Sequence, residues 1–87
     1  MNESHPVVFT VLLFSILREK VGRAAVDVAV PAPATGSALL DALEAAHPAV
    51  APYRPVIRLA VNQTYVPESV RLTEGDEVAL ITPVSGG

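Results

Sequence analysis

Val7-Val8-Phe9-Thr10-Val11-Leu12-Leu13-Phe14 decides the fold. The stretch is rich in β-branched and aromatic residues and holds neither Gly nor Pro. It therefore reads as a central strand with little exposed polar face. The longer apolar run to Leu17 has the look of a leader-peptide core. Against that, Met1-Asn2-Glu3-Ser4-His5 contain no Lys or Arg, and Arg18-Glu19-Lys20 follow the run at once. The run also falls well short of the ~20 residues that span a bilayer. A buried strand in a cytoplasmic protein, with no membrane segment, is the expectation.

The neighbouring segments build on that strand. Ser15 to Gly22 is a connection with a short helical tendency over Ile16-Leu17-Arg18-Glu19-Lys20, and Gly22 permits a reversal. Ala25-Val26-Asp27-Val28-Ala29-Val30 alternates, with Val26, Val28 and Val30 on one face. It is the natural antiparallel partner of the first strand, and Pro31 and Pro33 end it. Thr35 is placed to N-cap a helix whose first turn holds Gly36 and Ser37. Leu39, Leu40, Ala42, Leu43 and Ala46 then form one apolar stripe for the core, with Asp41 and Glu44 outward. Pro48 stops this helix by about Ala46. Ala49 to Pro55 reads as a loop, and Val56-Ile57-Arg58-Leu59-Ala60-Val61 as a third strand. Asn62-Gln63 is a turn and Thr64-Tyr65-Val66 a short return strand. Pro67 to Leu72 wraps across one end, Thr73-Glu74-Gly75-Asp76 turns, and Glu77 to Thr82 is the last strand.

The first and last strands are the most apolar, which places them side by side at the sheet centre. One helix covers only one face of a sheet. The order therefore predicts an α+β fold of the β-grasp, or ubiquitin-like, type. It has a mixed sheet of four to five strands and one main helix across one face. Apolar groups on the uncovered face would mark a partner surface. The chain shows no repeat or linker, so residues 1–87 are expected to form one domain, with 7–82 as the folded body and 83–87 as a flexible tail.

Composition excludes several functions. The 87 residues are 51% apolar and 17% charged, which describes a folded chain. A net charge of −3 gives no basic footprint for nucleic acid. There is no cysteine, so disulfides, thiolate catalysis and zinc–thiolate sites are ruled out. His5 and His47 lie far apart with no carboxylate constellation, so no metal site is expected.

What remains is Pro83-Val84-Ser85-Gly86-Gly87. Pro83 has no N–H for a sheet ladder and should end the last strand. The two glycines carry no side chain, and five extended residues reach at most roughly 17 Å. A strand this thin can enter a narrow cleft and present the Gly87 carboxylate there. A frayed chain end is the other reading of the same residues.

A resemblance bears on that choice. The sequence resembles the small subunits of molybdopterin synthase, sulfur carriers of the ubiquitin-like superfamily, from about Val8 to Gly87. The residues that carry it are Val11-Leu12-Leu13-Phe14 with Arg18-Glu19 and Val21-Gly22, Ala60-Val61-Asn62-Gln63-Thr64, Gly75-Asp76-Glu77-Val78-Ala79, and the Pro83–Gly87 end. The resemblance implies that a ubiquitin-activating-type adenylyltransferase consumes ATP to make a Gly87 acyl-adenylate. A sulfur donor enzyme then converts it to a thiocarboxylate. The tail enters the synthase large subunit, in an expected heterotetramer, and donates sulfur to cyclic pyranopterin monophosphate to form the molybdopterin dithiolene. It also implies that Gly86 gives the tail access, that Pro83, Val84 and Ser85 contact partners, and that Phe14, Tyr65 and Ile81 form the docking face. Core packing is the other reading of Phe14 and Ile81, and Tyr65 replaces the aliphatic residue that the family pattern leads one to expect. Glu74, Asp76 and Glu77 read either as a solvated acidic turn or as contacts for basic groups near the tail.

No convergent acid/base set is present, so no independent active site and no permanently bound cofactor are expected. Rival readings are a sulfur carrier for thiamine synthesis or tRNA thiolation, and a ubiquitin-like modifier joined to lysines of other proteins. Lys20 is the only lysine in the chain itself.

Overall fold

The computed structural model describes residues 5–83. In chain order these form β1 (Val7–Leu13), α1 (Ser15–Val21), β2 (Ala25–Val30), α2 (Gly36–Ala46), a 3₁₀ segment (Pro48–Val56), β3 (Arg58–Val61), β4 (Thr64–Val66) and β5 (Val78–Ile81). The sheet order is β2-β1-β5-β3-β4. β1 and β5 are parallel neighbours, as their apolar character predicts, and the other pairs are antiparallel. This is the β-grasp arrangement.

Alternation sorts each strand into two faces. Phe9, Val11 and Leu13 of β1, Val26, Val28 and Val30 of β2, Leu59 of β3, and Val78 and Leu80 of β5 are buried. They meet Leu39, Leu40 and Leu43 of α2 in one core. On the other face β1 presents Val8, 57% exposed, and Thr10, whose hydroxyl donates to Asp27 Oδ1 at 3.0 Å. The first strand thus has a more exposed second face than its composition suggests.

Thr35 caps α2 as expected, its Oγ1 accepting from the Ala38 N–H at 3.1 Å. Helix α2 ends at Ala46, but Ala46 itself is exposed, outside the stripe predicted to include it. At the other end Gly36 is buried because the 67–72 segment passes against it. The Gly36 N–H donates to Val70 O and the Ser37 N–H to Glu68 O, at 3.0 and 2.8 Å. A Cβ on Gly36 would collide with Leu59 Cδ2 and stand 3.0 Å from Glu68 O. Overpacking of this kind costs about 1–3 kcal/mol. Gly36→Ala is therefore expected to lower Tm, by roughly 4–8 °C for each kcal/mol, in a thermal melt.

The 48–56 stretch departs from the loop and early third strand expected of it. Pro52 and Pro55 lie within a 3₁₀ segment, and Val56 closes it instead of opening a strand. The Ile57 N–H donates back to Arg54 O at 3.3 Å, so β3 starts only at Arg58. Arg54 fastens the segment to its surroundings. Its guanidinium reaches Asp41 and Glu44 of α2 at 2.9 and 2.7 Å, and Glu68 at 3.1 Å. Hydrogen bonds to Glu68 and Glu44 raise the Arg54 pKa above its ordinary value, so it stays protonated. Among the described residues no helix is long and apolar enough to cross a membrane.

Candidate functional site

The uncovered face of the sheet carries a shallow groove of about 350 Å³. Register explains its floor. Leu12 pairs with Ala79, Ala79 with Ala60, and Ala60 with Tyr65, so these four share the open face. The alanines keep the floor low. Ala60 is only 7% exposed yet stands outside the core cluster, because it is covered from this side. Phe14, Tyr65 and Ile81 line the groove with the floor residues.

The three residues of the expected docking face are thus brought together. Phe14 is 42% exposed and Tyr65 is 61% exposed, while Ile81 is half-buried. Phe14 is therefore not a core residue. It is the N-cap of α1, in extended conformation (φ −126°, ψ 157°), and its side chain makes no capping hydrogen bond. Ser, Thr, Asp or Asn would stabilise that position, so a large aromatic there breaks a local rule.

The polar rim comes from the β3–β4 turn. Asn62 and Gln63 both have positive φ, 52° and 71°, as a type I′ hairpin turn requires. Gly would suit the second position, but Gln63 holds it and places its side chain on the groove. Asn62 does more than turn the chain. Its Nδ2 donates to Asp76 Oδ1 at 3.0 Å, and its Oδ1 accepts from the Glu77 N–H at 3.0 Å. Asp76 Oδ2 in turn accepts from the Thr73 N–H at 2.8 Å. The Val-Asn-Gln and Gly-Asp-Glu segments are therefore two halves of one clamp beside the groove. Asp76 is occupied by this clamp, and the turn of Glu74 and Asp76 lies at the start of β5, away from Pro83 at its other end. The expected contact of these acids with groups near the tail does not follow from their placement. Glu77 alone of the three lines the groove. Left-handed backbone costs a residue with a Cβ about 1–2 kcal/mol. Asn62→Gly loses the side-chain bonds only, whereas Asn62→Ala loses them and is strained, so urea unfolding should find the Ala variant less stable by about that amount.

The tail root is equally defined. β5 ends at Ile81, Thr82 is buried (5% exposed), and Pro83 is exposed. The chain thus leaves the middle of the sheet directly beside Ile81 and the groove. Val84, Ser85, Gly86 and Gly87 lie outside the described residues. Among the described residues no cluster of His, Asp or Glu is placed to hold a metal ion.

Comparison with known proteins places this geometry in context. The ThiS family model matches residues 11–87. The molybdopterin synthase sulfur carrier subunit of Escherichia coli strain K12 is 43% identical over 79 residues, covering 88% of this chain and 96% of that protein. Its counterpart in Arabidopsis thaliana is 33% identical over 86 residues, covering 99% and 90%. The crystal structure of SAMP1 from Haloferax volcanii, a small archaeal modifier protein, superposes with a TM-score of 0.84 at 34% identity. That superposition covers 92% of this chain and 99% of the archaeal one.

Proposed function

The chain belongs to the ThiS family, and from that membership we propose that it carries sulfur on the Gly87 carboxylate as the small subunit of a molybdopterin synthase. One observation carries the reading. The chain leaves the central strand β5 at Pro83, beside an apolar groove that Phe14, Tyr65 and Ile81 line on the uncovered face. A folded body with a gripping face next to its exit point is what delivery of a chain end into another protein needs.

The chemistry divides between the tail and its partners. A carboxylate is a poor electrophile, and attack on ATP in an activating enzyme gives it AMP as a leaving group, with pyrophosphate released. A sulfur donor displaces AMP and leaves a thiocarboxylate at Gly87. That sulfur is a good nucleophile with no cysteine needed, and the chain has none. In the large subunit it passes to cyclic pyranopterin monophosphate, one sulfur per carrier. General bases, oxyanion donors and cation clamps belong to the partners. This chain supplies the reactive end, its docking face and no resident cofactor.

The likeness to the archaeal modifier protein favours a second reading, attachment of Gly87 to lysines of other proteins. Mass spectrometry separates the two after incubation with the activating enzyme, ATP and a sulfur source. A C-terminal peptide heavier by the difference between sulfur and oxygen supports the carrier. An isopeptide remnant on another protein, with no such shift, supports the modifier and contradicts the carrier.

A further inference from the structure

A second groove, of about 410 Å³, opens where β3 begins and the chain leaves β5. Val56, Arg58, Glu68 and Pro83 line it, and Tyr65 is the wall it shares with the first groove. Val56 is 49% exposed, and Arg58 is exposed too. A tyrosine and an arginine around one depression match the residue types enriched in binding hot spots. The charge in this groove is uncompensated. Glu68 is its one carboxylate, and Arg54 holds both oxygens of that group, at 3.1 and 3.4 Å. Among the described residues Arg54 makes every ion pair and Arg58 makes none. An acidic chain thus keeps, at the root of its tail, a guanidinium with no ion-pair partner among the described residues.

We propose that this groove is a second contact with the synthase large subunit, in which Arg58 pairs with a partner carboxylate at the mouth of the channel that takes the tail. The proposal rests on the sulfur-carrier reading and extends the same interface across Tyr65. Arg58 stands opposite Ile81 in the β3–β5 register, two residues before Pro83. A partner wall that holds Arg58 therefore fixes the point and direction of tail entry. Guanidinium suits this task because its planar fork can bind a carboxylate through two parallel hydrogen bonds. Arg58 is then a positioning residue that never touches the reacting atoms.

Titration calorimetry with the purified large subunit of the same organism tests this. Arg58→Glu should raise Kd about tenfold or more, with Arg58→Lys recovering to within about threefold of wild type. Arg71→Glu, at an exposed arginine outside both grooves, should change Kd less than about twofold. The Arg58→Glu loss should persist in a chain without Gly86 and Gly87, since the carboxylate belongs to the partner. Equal Kd values for Arg58→Glu and Arg71→Glu overturn the proposal and leave the carrier reading standing. A loss that vanishes with the tail also overturns it, because Arg58 would then pair with the chain's own terminus. A wild-type chain that fails to bind the large subunit at all overturns the carrier reading itself.

Discussion

A chain lacking Gly86 and Gly87 should melt at the temperature of the full-length chain and transfer no sulfur. The two halves of that result come from different parts of the molecule. Stability resides in the core of Phe9, Val11, Leu13, Leu39, Leu40, Leu43, Val78, Leu80 and their neighbours, all buried between sheet and helix. Just past β5, Thr82 is the last buried residue among those described, and Pro83 is already in solvent. Every core and strand residue among the described residues precedes the two terminal glycines, so the change in stability on deleting them should stay within about 0.5 kcal/mol, as for surface changes generally. Activity should fall to nothing, because the new terminus is two residues shorter and lacks the Gly87 carboxylate on which the proposed sulfur chemistry depends. A thermal melt and a pterin conversion assay on the same sample read the two quantities separately. Residual conversion by the truncated chain would place the reacting group elsewhere.

The second large effect is expected at Phe14, where docking and stability should move in opposite directions. Phe14 is the N-cap of α1 and offers no cap, and 42% of it is exposed on the groove. Asp at an N-cap accepts from the first-turn N–H groups and stabilises a helix by about 0.5–2 kcal/mol over a residue that cannot. Phe14→Asp should therefore keep or raise Tm. The same change removes an aromatic wall and puts a charge on an apolar floor. Loss of such an anchor costs about 2 kcal/mol or more, and each ~1.4 kcal/mol is tenfold in Kd. Binding to the large subunit should weaken roughly thirtyfold or more. A variant that melts lower and binds as well as wild type would show Phe14 to be core after all.

That contrast shows what can be read from sequence here. β1, β2 and α2 are legible because each has one dominant signal: a largely apolar run without Gly or Pro, a strict alternation, and a capped stripe at spacings of three and four. The central place of β1 and β5 follows from their being the most apolar of the strands. The 48–56 stretch is not legible, since prolines mark it as irregular and a 3₁₀ segment has no apolar period long enough to register. The same prolines hide the late start of β3, because Val56 and Ile57 have the composition of a strand. Asn62 reads as a turn residue, but its bonds to Asp76 and Glu77 join positions fourteen and fifteen residues apart that no local pattern connects. The proposed docking residues Phe14, Tyr65 and Ile81 are picked out in the sequence only by family resemblance. The one physical signal for Phe14 is the missing cap, and that signal requires knowing that a helix starts at Ser15. Tyr65 and Arg58 become meaningful only once strand register sets them against Ala60 and Ile81.

The most direct measurement starts from a chain whose Gly87 has been converted to the thiocarboxylate beforehand, mixed with the large subunit and cyclic pyranopterin monophosphate. No ATP and no activating enzyme are present. The dithiolene product should form, with one carrier returned as the carboxylate for each sulfur transferred. No product from the thiocarboxylate, or the same yield from the plain carboxylate, would contradict the claim that this chain works by carrying sulfur on its terminal glycine.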